Sequence, residues 1–211
     1  MLRRAYLRNV PLPEDLTNEQ IFQALALTQD FFSLIRQRTG INLSSIIQAN
    51  NFSGVVSNVF TKMLNDVSPY KSYHDQRYPD LMHEYEPIGL EVKAANKIMK
   101  GGEGHNGHSG WHIVVCFTVL DNGDIEFTQV EIANLIGFEC IDSDWKYLGS
   151  QRNERNSQRT ETYITTDIGT AKLRDGSVYL NPHYVEISAL RQRKRENLTD
   201  RLPIPPYSPF Y

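Results

Sequence analysis

A chain of 211 residues, 40% hydrophobic and 22% charged, is long enough to fill one core and is ordinary in composition for a globular domain. No apolar run approaches the ~18 residues a membrane helix needs, and Met1-Leu2-Arg3-Arg4-Ala5-Tyr6 is not followed by the apolar core of a signal peptide. A soluble, cytoplasmic protein with no membrane partner is therefore expected. The formal net charge of −3 argues against a uniformly basic chain, but the charge is unevenly spread: +1 over 1–75, −7 over 76–150 and +3 over 151–211. An acidic middle that collects cations beside a basic segment that meets phosphates is the pattern this suggests. Cys116 and Cys140 lack CxxC spacing and lie in apolar surroundings, which predicts two buried free thiols.

Residues 1–70 read as a helical N-terminal part. Thr17 and Gln20 have capping-box spacing, and Ile21, Leu25, Phe31, Phe32 and Ile35 form an apolar stripe ending at Gly40. A second helical pattern runs through Ile46, Ile47, Phe52, Val55, Val56, Val59, Phe60 and Leu64. Both are read as core packing or a dimer surface.

The region 75–135 reads as a catalytic core. Ile88-Gly89-Leu90-Glu91-Val92-Lys93-Ala94 alternates, so Ile88, Leu90, Val92 and Ala94 enter a core while Glu91 and Lys93 share the opposite face of a strand. If Pro79-Asp80 ends a neighbouring strand, the carboxylates of Asp80 and Glu91 meet. A hard divalent cation such as Mg²⁺ relieves their repulsion, with the Val92 carbonyl as a further ligand and Lys93 alongside. That set suits phosphodiester hydrolysis, in which a metal activates water and neutralises phosphoryl charge. The bland alternative makes Glu91 and Lys93 the solvated face of an amphipathic strand and Asp80 a turn residue.

Downstream, the glycine-rich stretch 97–110 lacks the GxxxxGK[ST] pattern of a nucleotide-binding loop and reads as a connection in which Lys97 touches a phosphate backbone. His105, His108, His112 and Cys116 match no common zinc spacing, and a structural role is preferred for them. Trp111–Leu120 and Ile125–Ile132 form a hairpin about Asn122-Gly123, with Gln129 and Glu131 expected at the solvent. The region 150–185 reads as strands and loops that contact nucleic acid. In it, Arg152, Arg155, Asn156, Gln158 and Arg159 can hold phosphate or read base edges. Lys172 and Arg174 add cations to a strand-turn-strand element over Thr160–Thr166 and Thr170–Leu180. The tail 202–211, with four prolines, can be neither helix nor central strand, and is expected to pack across the surface or a partner, or to be disordered.

Pro79-Asp80 and Glu91-Val92-Lys93, with GHSGWHIVV, QRTETYITT and GTAKLRDGSVYLNP downstream, resemble the PD-(D/E)XK nuclease superfamily and in particular type II restriction endonucleases, over about 75–185. The resemblance implies a single α/β nuclease domain over 1–211, a mixed central sheet flanked by helices, with Asp80, Glu91 and Lys93 catalytic and Mg²⁺ on Asp80, Glu91 and Val92. It further implies sequence-specific cleavage of double-stranded DNA leaving 5′-phosphate ends, a homodimer matching a palindromic site, and functional pairing with a DNA methyltransferase. The alternatives are a structure-selective repair nuclease or junction resolvase, or a non-catalytic DNA-binding protein of the same fold.

Overall fold

The computed structural model describes residues 2–73, 78–97, 103–104, 107–149, 162–188 and 201–211. After a 3-10 turn at Arg4–Tyr6, the Thr17 side chain accepts from the Gln20 N–H while the Gln20 side chain accepts from the Thr17 N–H, and this reciprocal cap starts α1 (Asn18–Thr39). Gly40 ends it with a φ of 70°, a left-handed cap. The second predicted helix is broken: a short α2 (Leu43–Ile46) is followed by extended backbone at Ile47 and Gln48, then α3 (Ala49–Val67). Ile46 consequently lies exposed rather than on the apolar stripe.

The strands follow as β1 (Tyr70–Lys71), β2 (Leu81–His83), β3 (Gly89–Ala95), β4 (Glu103–Gly104), β5 (Gly110–Val119), β6 (Ile125–Leu135), β7 (Trp145–Gly149) and β8 (Thr162–Thr165), then α4 (Asp167–Asp175) and β9 (Ser177–Leu180). Six of them form a mixed sheet in the order β1-β2-β3-β5-β6-β9, in which only β3 and β5 run parallel. A smaller sheet has the order β4-β8-β7. The predicted hairpin is β5–β6, with Gly123 at a φ of 82° in its turn.

One face of the large sheet is dry. Ile21, Leu25 and Phe32 from α1 and Phe52, Val56, Phe60 and Leu64 from α3 pack on Leu90, Val92, Ile113, Val115, Phe117, Phe127, Val130 and Ile132. Each fully buried large side chain here is worth about 1.5–3 kcal/mol. The opposite face is mixed: Ala95, Val114, Cys116, Ala133 and Leu135 meet Trp145 and Leu173, and polar residues flank them.

Three expectations are corrected. Thr170–Leu180 is not a strand throughout: Thr166 caps α4 by accepting from the Gly169 N–H, and the good helix formers Ala171, Lys172, Leu173 and Arg174 continue it to Gly176, where β9 begins. Gln129 and Glu131 are fully buried, because α4 packs over β6 on the face that alternation alone left to solvent. Cys140 is exposed in the turn after β6, whereas Cys116 is buried; neither is in a disulfide. The tail packs onto the fold: Phe210 is buried with Leu180 and Val185, and the Ser208 hydroxyl donates to Asp175 Oδ1 at 2.7 Å. Among the described residues no helix is long and apolar enough to cross a membrane.

Candidate active site

Alternation along β3 sends Leu90 and Val92 into the dry core and puts Glu91 and Lys93 on the other face, beside β5. In the parallel register Glu91 lies opposite His112 and Lys93 opposite Val114. The pairing of β2 with β3 begins at Leu81 opposite Leu90, so among the described residues the main chain of β3 beyond that point has no strand partner on that side. Asp80, the residue just before β2, fills part of the gap. Its Oδ2 accepts from the Val92 N–H at 2.8 Å, and its own N–H donates to Glu91 Oε2 at 3.3 Å.

The approach of this turn depends on a missing side chain. Pro79, preceded by a cis peptide bond to Tyr78, lies so close over Gly89 that a Cβ there would stand 2.2 Å from Pro79 Cγ. Only glycine lets the turn lie against β3 and deliver Asp80 to Glu91.

A buried carboxylate, Glu91, and a half-buried one, Asp80, are thereby held together. Glu91 is only 6% exposed, which rules out the solvated-face reading for this side chain. The Asp80 carboxyl is pushed up to about 6, first by burial and then by the negative charge of Glu91; the Val92 N–H and Lys93 oppose the shift. Lys93 Nζ donates to Glu91 Oε1 at 2.5 Å while its side chain keeps 29% exposure, so the ammonium bridges the buried carboxylate and the open surface.

The predicted ligand Val92 is present through its carbonyl, which shares the unpaired strand edge with its N–H and accepts from the Ser57 hydroxyl of α3 at 3.2 Å. Aromatic and imidazole rings wall the site. The Tyr78 ring lies 4.6 Å from that of His108 and 6.3 Å from that of His112, and its hydroxyl donates to the Ser109 carbonyl at 2.9 Å. Burial pulls the His112 imidazole down to about 4, so it is neutral, with Nδ1 donating to the Gly110 carbonyl at 2.9 Å. A cavity of about 390 Å³ adjoins the turn, walled by Tyr78, Pro79, Gly89, Trp111 and Asn134 among others.

This arrangement fits a hard divalent cation. Two facing carboxylates and a main-chain carbonyl are an all-oxygen donor set, and a cation relieves the repulsion that raises Asp80. Among the described residues no group of three or more His, Cys, Asp or Glu side chains could hold a metal ion.

Asp80, Glu91, Val92 and Lys93 are thus brought together. The residues expected to contact nucleic acid are not gathered in the same way. Lys97 is exposed just past β3. Lys172 Nζ is tied to the buried Asp144 carboxylate at 2.7 Å, and Arg174 is buried on the inner side of α4. Arg152, Arg155, Asn156, Gln158 and Arg159 lie outside the described residues. Sequence reasoning missed Ser57, Tyr78, Gly89 and His112 as parts of the site. Tyr78 and Gly89 flank the motif and carried a local signal, whereas Ser57 and His112 arrive through helix packing and strand register. No family model, curated protein or solved structure matches this chain.

Proposed function

We propose that the chain is a Mg²⁺-dependent endonuclease with a PD-(D/E)XK core, of the type II restriction kind, that hydrolyses double-stranded DNA at a defined sequence as a homodimer. The observation that carries this reading is the convergence of Asp80, Glu91, Lys93 and the Val92 carbonyl at one unpaired strand edge, with the two carboxylates in mutual repulsion. Such a cluster has little structural use: buried like charges destabilise a fold unless they hold something.

Asp80, Glu91 and the Val92 carbonyl would hold the cation, which when bound lowers the pKa of water and offsets charge on the phosphoryl oxygens. The chain's own residues then act as follows. Glu91 keeps Lys93 in place through the 2.5 Å contact, and the partly exposed ammonium orients the attacking water and faces the phosphoryl oxygen as it gains charge. The Val92 N–H fixes the Asp80 carboxylate so that its other oxygen is directed away from the strand. Water adds to phosphorus, the P–O3′ bond breaks, the 3′ oxygen takes a proton, and a 5′-phosphate remains. Twofold pairing of chains would present two such sites to the two strands of a palindrome.

The test is incubation of purified protein with phage DNA, with Mg²⁺ or EDTA, beside Asp80→Ala and Lys93→Ala. Discrete fragments that require the metal and both side chains are expected. Cleavage that persists in Lys93→Ala would remove the assignment, and intact linear DNA alongside cut branched substrates would redirect it to a structure-selective nuclease. DNA left whole in both forms would end the catalytic reading.

A further inference from the structure

Several hydroxyls in the helices of this chain, or at their ends, satisfy themselves locally. Thr28, Thr39 and Ser68 each donate to the carbonyl four residues back, at 2.7, 2.6 and 2.6 Å. Ser57 does not. It reaches from α3 to the Val92 carbonyl on β3, thirty-five residues away in sequence, at 3.2 Å. That distance is long for a hydroxyl donor, whose bonds cluster near about 2.7–2.8 Å. The acceptor is also unusual, because β2 stops short of it and it shares its strand edge with the Asp80 carboxylate.

We propose that Ser57 is a placeholder for the cation: its hydroxyl holds the Val92 carbonyl while the site is empty and gives the carbonyl up when a divalent ion is bound by Asp80 and Glu91. This rests on the reading of that cluster as a cation site. A buried carbonyl with no partner is costly, so the empty site needs a donor; a long, weak bond supplies one that exchanges easily. The hydroxyl, once released, turns to a cation-bound water or back to its own helix. Ser57 is therefore a positioning residue that sets how tightly the ion is held, and removing it shifts the balance towards binding, because the empty state alone loses the bond.

The sign distinguishes this from the other roles a serine here can have. A residue that merely packs α3 on β3 changes stability and leaves ion affinity alone. One that keeps the carbonyl aligned for the ion lowers affinity when lost, by about 10–100-fold for supporting contacts of this sort. A placeholder raises it.

The experiment titrates the full chain with Mn²⁺, following the free ion by electron paramagnetic resonance, and melts the ion-free protein by circular dichroism. Ser57→Ala is expected to bind Mn²⁺ about fivefold more tightly than wild type, the worth of one ordinary hydrogen bond, and to melt at a lower temperature without the ion. Ser57→Thr, which keeps the hydroxyl, should match wild type. If Ser57→Ala does not fold, Ser57→Cys replaces it, since a thiol is a weak donor of similar size and should move affinity in the same direction. Equal or weaker binding by the variant, with Asp80→Ala still abolishing it, overturns the placeholder and leaves the cation site standing. Absence of Mn²⁺ binding by wild type, or undiminished binding by Asp80→Ala, overturns the cation site and the placeholder with it.

Discussion

Glu131 sits on β6 with its side chain fully buried, one oxygen accepting from Gln129 Nε2 at 2.8 Å and the other without a hydrogen-bond partner. Burial pushes its carboxyl up to about 8, with Arg174 from α4 as the charge that opposes the shift most. Because the folded state binds this proton more tightly than the unfolded chain, the contribution of Glu131 to stability is greatest at low pH and falls as pH rises from the ordinary carboxylate range towards 8. The loss between pH 5 and pH 8 is on the order of 3 kcal/mol. Glu131→Gln cannot ionise, so its urea midpoint should lose less than that of wild type over that window and exceed the wild-type value at pH 8; parallel profiles would refute the assignment. The residue also shows what single-sequence reading can reach. Asp80, Glu91 and Lys93 are legible because a turn and one alternating strand set their relation locally. The burial of Glu131, and the approach of His112 and Ser57 to the site, depend on which strand pairs with which and where a helix lands, and neither is written in the neighbouring residues.

At the level of elements, the chain is most legible where ends are marked chemically. Thr17 and Gln20 announce the start of α1, Gly40 its end, and Asn122-Gly123 the β5–β6 turn, and each stands where the side-chain chemistry requires. Thr17→Ala removes the acceptor for the Gln20 N–H and should lower stability by about 1 kcal/mol in a urea titration, with no effect on ion binding. Thr166 gave an equally good start signal for α4, but Ala171 and Leu173 also alternate, and the alternation masked it. Gly89 belongs to this scale because its role lies between two elements. In Gly89→Ala the new Cβ meets Pro79 Cγ, which belongs to a rigid ring, so the turn before β2 must lift from β3 and carry Asp80 with it. The variant should melt within a few degrees of wild type but bind Mn²⁺ at least tenfold more weakly, as loss of one carboxylate ligand does. Unaltered affinity would mean that Asp80 reaches the site without help from this contact.

Across the whole molecule, the large sheet divides its duties between its faces. The side covered by α1 and α3 supplies the apolar core, and the other side holds the candidate site at β3, with α4 and the small sheet over β5 and β6. The acidic excess of residues 76–150 was visible in the sequence, but its meaning depends on this division: Asp80 and Glu91 stand together, whereas Asp144 is consumed by Lys172 and Asp124 by Arg36, whose guanidinium grips it at 2.8 Å through two nitrogens. The proline-rich tail closes the molecule at the far edge of the sheet. Phe210 is 1% exposed against Leu180 and Val185, beside β9, and is not among the residues around Asp80 and Glu91. Phe210→Ala empties this buried aromatic site and should cost about 3 kcal/mol, the low end for such truncations in cores. The cost should appear equally with and without Mn²⁺, because the pocket and the proposed cation site share no side chain. A melting temperature unchanged from wild type would show that the tail contributes nothing to the folded state, and a loss confined to the ion-bound protein would couple this edge of the sheet to the site.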